Sequence, residues 1–151
     1  MGSIEITIHN ATVSDIEEVA GLFDAYRMFY GKTSDIIMAK KFLSDRIVSE
    51  ESTILLARIN DKCAGFVQLY PFFSSVNATR LLVLNDLYVD PIHRRMGVAK
   101  ELMKSAVLEA RETNCKGLIL ETTDDNTNAQ SLYEKLGWTE ESGVKHYFLN
   151  V

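Results

Sequence analysis

Leu81-Leu82-Val83-Leu84-Asn85-Asp86-Leu87-Tyr88-Val89-Asp90-Pro91-Ile92-His93-Arg94-Arg95-Met96-Gly97-Val98-Ala99 is the stretch that decides the fold. Its first nine residues form an apolar run that reads as a strand, and Pro91 ends it. Beyond Ala99, the residues Leu102, Met103, Ala106 and Ala110 recur at helical spacing and predict an amphipathic helix to about Thr113. The turn between strand and helix is basic. A helix N-terminus leaves its first N–H groups without intrahelical partners, and its dipole is positive there. Such an end suits a phosphate. Gly97 has no Cβ, so a ligand can approach its backbone closely. Arg94 and Arg95 add side-chain donors for phosphate oxygens. Strand, turn and helix therefore predict a pyrophosphate cradle at the carboxyl end of a strand, the usual ligand edge of an α/β sheet.

The flanking sequence builds a domain around that unit. Residues 4–8 alternate and predict a strand. Ser14 and Glu17 form a capping box for a helix that runs through Ile16, Val19, Ala20, Phe23 and Tyr26 to about Phe29. Gly31 breaks it, and a second helix covers residues 35–49 with Ile36, Phe42 and Leu43 inward. Residues 53–59 and 64–73 read as strands joined by the hairpin signal Asn60-Asp61. A loop follows at 74–79. Downstream come a strand at 117–122, a helix at 128–136 ended by Gly137, and two closing strands at 138–140 and 145–150. The order predicts an α/β fold in one domain, residues 1–151, with a mixed central sheet of about seven strands and about four helices.

Composition narrows the function. The net charge of −5 argues against nucleic-acid binding, which needs Lys and Arg to neutralise phosphates, and mildly favours a cationic substrate. No apolar run approaches the roughly 20 residues that span a bilayer, so no membrane partner is expected. Met1-Gly2-Ser3-Ile4-Glu5-Ile6 has neither a basic leader region nor a hydroxyl residue at position 6 for myristoylation, and a cytoplasmic protein is expected. Cys63 and Cys115 lack ligand spacing and read as small buried side chains, and the three histidines are scattered, so no metal is expected.

The glycine pattern of a Rossmann dinucleotide site and the Walker A loop are both absent. What remains is Arg94-x-x-Gly97-x-Ala99 after Leu87-Tyr88-Val89-Asp90-Pro91, which resembles the coenzyme A loop of the GNAT N-acetyltransferase superfamily. Asn126-Thr127-Asn128-Ala129-Gln130-Ser131-Leu132-Tyr133-Glu134-Lys135-Leu136-Gly137-Trp138 resembles that family's second signature, Asn-x-x-Ala-x-x-Leu-Tyr-x-x-x-Gly-aromatic. The spacing of the two segments and the order of elements also fit, so the resemblance covers essentially the whole chain. Tyr26-Arg27-Met28-Phe29-Tyr30 and Asn85-Asp86-Leu87-Tyr88-Val89 are similar to the branch that holds small histone/polyamine and diamine acetyltransferases.

The resemblance implies that the fourth and fifth strands splay apart and admit the pantetheine arm of acetyl-CoA. Backbone groups of Leu87 and Val89, with Tyr88 between them, would bond the pantetheine amides. The Val89 N–H would face the thioester carbonyl and stabilise the developing oxyanion. The N–H groups of Arg95, Met96, Gly97, Val98 and Ala99, with the Arg94 and Arg95 side chains, would hold the pyrophosphate. Asn126 and Ala129 would contact the cofactor from the other side. Tyr133 would lie near the sulfur and protonate the departing thiolate; alternatively it packs in the core with Ala129, Leu132 and Leu136.

The acceptor amine must lose a proton before it attacks, because a free alkylamine has a pKa of about 10.4. Asp86 is the candidate to bind or deprotonate it. In the diamine acetyltransferases the matching pair is Glu-Asp and the Glu is the proposed base; here Asn85 holds that place and cannot accept a proton. Base action through water is therefore expected, with Glu121 as a second candidate at the acceptor site. The alternative for Asp86 is a bulge carboxylate that bonds nearby backbone N–H groups. Tyr26, Phe29 and Tyr30 would wall the acceptor site, or Tyr26 and Phe29 would serve as core staples; Tyr70 and Pro71 are weaker candidates. Trp138 reads as core or dimer packing. The implied protein is an acetyl-CoA-dependent N-acetyltransferase that acts by direct attack in a ternary complex, since no Cys or Ser sits in a triad-like setting. The acceptor would be a small amine such as a diamine, polyamine or amino acid derivative. A protein lysine or N-terminus, a non-catalytic acyl-CoA-binding regulatory module, and a toxin that acetylates charged tRNA are the rivals, the last disfavoured by the negative charge. A homodimer is expected, because family members often pair through their last strands.

Overall fold

Five strands hydrogen-bond in the order of the chain in the computed structural model, which describes residues 3–151. They are β1 (Ile6–Asn10), β2 (Thr53–Ile59), β3 (Lys62–Ser74), β4 (Thr79–Val89) and β5 (Leu118–Ile119). β1 to β4 pair antiparallel, and β5 joins β4 in parallel, so the sheet is mixed as expected. Four α-helices accompany it: α1 (Ile16–Phe29), α2 (Ile36–Val48), α3 (Val98–Glu112) and α4 (Thr127–Lys135). The chain divides into a compact unit that ends at Glu121 and a second one from Thr122 to Val151. Expectations that rest on Met1 and Gly2 lie outside the described residues.

Local chemistry explains the first unit. Asn60 and Asp61 take φ +50° and +64°, the succession of left-handed residues that makes a type I′ turn between β2 and β3. Side chains alternate across the strands. Ile54, Leu56 and Phe66 therefore face α1 and α2 and cluster with Val19, Ala20, Phe23, Ala39 and Leu43. Leu55, Val67, Leu69, Leu82 and Leu84 point the other way, toward the buried stripe Val98, Leu102, Met103, Ala106 and Ala110 of α3. The rings of Phe23 and Phe42 stack at 5.7 Å and tie α1 to α2.

Several boundaries differ from expectation. The helix entry is capped two residues early: the Thr12 N–H donates to the Asp15 carboxylate at 2.9 Å, while Glu17 instead pairs with Lys40 of α2 at 2.6 Å. Ile36 is exposed rather than inward, because Ala39 and Leu43 fill the inner face of α2. The fifth strand shrinks from 117–122 to two residues, and no strand follows it among the described residues. The sheet thus has five strands where about seven were expected. At the closing segment, Glu140-Glu141-Ser142-Gly143 is polar, and the apolar Tyr147, Phe148 and Leu149 are exposed without a ladder to fix them.

A buried carboxylate joins the first two helices. Asp24 of α1 accepts from the Ser34 hydroxyl at 2.6 Å and from the Asp35 N–H at 2.8 Å. Asp35 in turn caps α2 by accepting from the Met38 N–H at 3.0 Å. The Ser34 bond first, then the Asp35 amide, holds the Asp24 carboxyl below its ordinary 3.8. A depressed folded-state pKa adds stability that is complete above the unfolded value and is lost as pH falls through the folded one. Asp24→Ala is expected to cost about 1–2 kcal/mol by removing the buried carboxylate that accepts both bonds. Urea melts of both proteins should show that gap at pH 7 and its narrowing below about pH 4.

Candidate active site

One residue too many in β4 shapes the site. Gln68 of β3 opposes Asp86, yet Leu69 opposes Leu84, so Asn85 bulges from the ladder. A strand residue turns its N–H and C=O to the same side, and the side alternates. Before the bulge, the Leu82 N–H donates to the Gly117 carbonyl at 3.1 Å, so even-numbered residues face β5. After it, the Asp90 N–H donates to the Ala64 carbonyl at 2.8 Å, so even-numbered residues face β3. Leu87 and Val89 therefore present their backbone groups to the outer edge. β5 meets β4 at Leu82 and Val83, and from Leu84 to Val89 no strand pairs that edge among the described residues. This is the splay expected between the fourth and fifth strands. An extended ligand that carries amides finds donors and acceptors in strand register there.

The edge leads into the basic turn. Arg95 and Gly97 have φ +62° and +89°, and Gly97 sits at the N-cap of α3. A glycine cap has no side chain to occupy the first-turn N–H groups of Val98 and Ala99, which suits an anion. Met96, between the two left-handed residues, is exposed. Arg94 folds back: its Nε donates to the Val89 carbonyl at 3.1 Å and its guanidinium lies 5.7 Å from the Tyr88 ring centroid. Gly65 holds the strand end in place, because a Cβ there would stand 2.7 Å from the Tyr88 carbonyl oxygen and 3.2 Å from the Val89 Cα.

Asp86 lies beside the bulge and is 3% exposed. Its partners are side chains rather than the backbone N–H groups of the alternative reading. Gln68 Nε2 donates to one carboxylate oxygen, and Asn85 Nδ2 donates to the other at 2.8 Å. The Tyr26 hydroxyl reaches the same group. Burial raises the Asp86 pKa, against the lowering effect of Gln68, Asn85 and Tyr26 in that order. Tyr70 is pushed up to about 12, by burial first and by the Asp86 charge second. Gln68 is wholly buried, and its Oε1 accepts from the Ser52 hydroxyl at 2.9 Å. The sequence reading missed Gln68 and Ser52. A lone amide in the apolar run Ala64-Gly65-Phe66-Val67-Gln68-Leu69 was the available signal, since a buried amide needs partners.

Tyr26 is half-buried, with its ring 5.1 Å from Tyr30, 6.0 Å from Phe66 and 6.2 Å from Tyr88. Phe29 and Tyr30 are exposed, so Phe29 is no core staple. Glu121 is exposed beyond the end of β5. Cys63 donates to Glu18 at 2.9 Å, and burial followed by that bond pushes its thiol up to about 12, which keeps it from acting as a thiolate nucleophile. No His, Cys, Asp and Glu group able to hold a metal occurs among the described residues.

In the second unit, the signature around Tyr133 explains itself as a helix end. The Trp138 N–H donates to the Tyr133 carbonyl at 3.0 Å and the Gly137 N–H to the Glu134 carbonyl at 3.1 Å. This is a Schellman motif, and Gly137 takes the φ of +92° that it requires. The accompanying apolar contact is Tyr133 against Trp138, at 6.2 Å between ring centroids. Asn126 precedes α4 and donates to the Thr122 hydroxyl at 3.2 Å, and Ala129 lies in the first turns of the helix. Gln130 ties the entry loop down by donating to the carbonyls of Thr123 and Asp124 at 2.9 and 3.2 Å.

The family model described as the acetyltransferase (GNAT) family matches residues 19–138. A protein of Bacillus subtilis (strain 168), named uncharacterized N-acetyltransferase YhfO, is 43% identical over 146 residues, 97% of this chain and 98% of that protein. A crystal structure of a probable acetyltransferase superposes with a TM-score of 0.90 at 39% identity, over 96% of this chain and 97% of the other. An aminoglycoside N-acetyltransferase in complex with CoA shares the fold, with a TM-score of 0.86 at 19% identity over all of this chain and 98% of that one.

Gly65→Ala should drive the added methyl into β4 and cost about 1–3 kcal/mol, or roughly 2–10 °C of melting temperature in a chain of this size. Gly117→Ala, where a Cβ meets nothing within 4 Å, should melt close to wild type in the same scan.

Proposed function

The chain belongs to the GNAT acetyltransferase family, and from that premise we propose that this enzyme moves the acetyl group of acetyl-CoA onto a small primary amine, within one domain spanning residues 1–151. The observation that carries the reading is the open edge of β4 running into the arginine-flanked, glycine-capped start of α3. Those donors match the two halves of the cofactor, amides in an extended arm and a pyrophosphate. Bound acetyl-CoA supplies the activated thioester.

In this reading Leu87 and Val89 bond the pantetheine amides along the strand edge, with Tyr88 between them. The Val89 N–H stabilises the developing oxyanion. Arg94, Arg95 and the N–H groups from Arg95 through Ala99 hold the pyrophosphate. The bond from Arg94 to the Val89 carbonyl links the two subsites. Asn126 and Ala129 add contacts to the cofactor, and Tyr133 gives its proton to the leaving thiolate. Tyr26, Phe29, Tyr30 and Glu121 border the acceptor. Asp86 takes the amine's proton without touching the amine, since the carboxylate is buried.

Direct attack is favoured by the Cys63 thiol, which is held protonated. The motifs at Tyr26–Tyr30 and Asn85–Val89 support placement in the histone/polyamine and diamine acetyltransferase branch. No helix of the described residues is long and apolar enough to cross a membrane. A cytoplasmic homodimer belongs to the same proposal.

Release of CoA thiol from acetyl-CoA, measured against diamines, polyamines, amino acids, aminoglycosides and a peptide, tests the reading. Wild type is expected to turn over a small amine. Tyr133→Phe should lower kcat by about 100-fold or more, with the KM for acetyl-CoA little changed. Turnover of the peptide alone would move the acceptor to a protein amine. Tight acetyl-CoA binding without turnover of anything would make the chain a regulatory module.

A further inference from the structure

We propose that the Tyr26 hydroxyl is the proton relay between the acceptor amine and the Asp86 carboxylate, an inference that rests on the acetyl-transfer reading above. Asp86 is buried, so a proton taken from an amine must cross an intermediate group. Among the described residues, the side chains that reach the carboxylate are the amides of Gln68 and Asn85 and the phenol of Tyr26. An amide NH2 donates and does not accept. Gln68 is held in that orientation, because the Ser52 hydroxyl donates to its other end. Neither amide can pass a proton to the carboxylate. A phenol can, since its oxygen accepts on one side while its proton leaves on the other.

Tyr26 is built for that task. Its ring is packed against those of Tyr30, Phe66 and Tyr88, so the hydroxyl is aimed rather than free to swing. The hydroxyl lies 3.5 Å from the carbonyl of Asn85, the bulge residue where the open edge of β4 begins. The side chain thus leads from the exposed Tyr30 and Phe29 down to the buried acid.

The transfer balances. One N–H bond of the ammonium breaks and its proton joins the Tyr26 oxygen, while the phenol's own proton moves to Asp86. Tyr26 ends neutral, Asp86 ends as a carboxylic acid, and the amine holds a free electron pair. As the C–N bond forms and the C–S bond breaks, Tyr133 protonates the sulfur and the nitrogen's second proton replaces the one Tyr133 gave up. Asp86 later returns its proton to solvent by the same path. Tyr70 and Gln68 face the pair from β3, with Arg46 of α2 and Glu51 farther out beside Tyr70. Burial makes Asp86 a stronger base than a solvated carboxylate, which eases the transfer.

Tyr26→Phe keeps the ring and removes the oxygen. With 1,3-diaminopropane as acceptor, kcat/KM at pH 7 should fall about 100-fold. The deficit should shrink as pH rises toward the amine's own pKa of about 10.4, where no relay is needed. Asp86→Asn should show the same profile, and the double variant should be no worse than either single one. Acetyl-CoA affinity and melting temperature of Tyr26→Phe should match wild type. A deficit equal at every pH, or losses that multiply in the double variant, overturns the relay and leaves Tyr26 as a wall of the site. A wild type that binds acetyl-CoA but does not acetylate the diamine overturns the small-amine reading itself, and the relay with it.

Discussion

Asn85 is the residue on which the rest of the site depends. Without it, β4 would carry the parity of its first half through to Val89, and the backbone groups of Leu87 and Val89 would be spent on β3. The extra residue reverses that parity, and β5 stops pairing two residues before it. A strand edge left open inside a sheet is a liability unless something covers it. Here the open stretch runs straight into the start of α3, so a ligand that lies along the edge meets the helix N-terminus at its far end. The same bulge sets the Asp86 side chain opposite Gln68, beneath Tyr26.

The buried polar group opposite the bulge has its own logic. A carboxylate taken out of water is costly unless donors meet both oxygens. Gln68 and Asn85 do so from two strands, and Ser52 fixes the outer end of Gln68. The arrangement keeps a basic group dry and oriented within a molecule that is acidic overall.

Much of this was legible in the sequence, for identifiable reasons. The spacing of Leu102, Met103, Ala106 and Ala110 is a local pattern, and it gave α3 its buried face. Asn60-Asp61 and Gly137 announced backbone conformations that few other residues adopt. The turn from Arg94 to Ala99 was readable for the same reason. What failed was set by tertiary partners. The cap moved from Ser14 to Thr12 because Asp15, not Glu17, sat within reach of the entering chain, and Glu17 was drawn to Lys40. Ile36 and the closing strands failed because an apolar residue becomes core only where a neighbouring element covers it. Gln68 was hidden because an isolated amide carries no period. Its role exists only once β3 and β4 are in register.

Arg95 adds a consequence of another kind. It is not a glycine, yet it holds φ +62° two residues before a glycine that holds +89°. Each such non-glycine outlier costs on the order of 1–3 kcal/mol, a visible share of the roughly 5–15 kcal/mol that keeps a domain folded. The packing of β4 and α3 on either side absorbs that cost when the chain folds. An anion that arrives at the turn therefore meets a backbone already fixed and loses little to ordering it. For the proposed diphosphate, the shape of the turn is set in advance as backbone strain, ahead of any encounter.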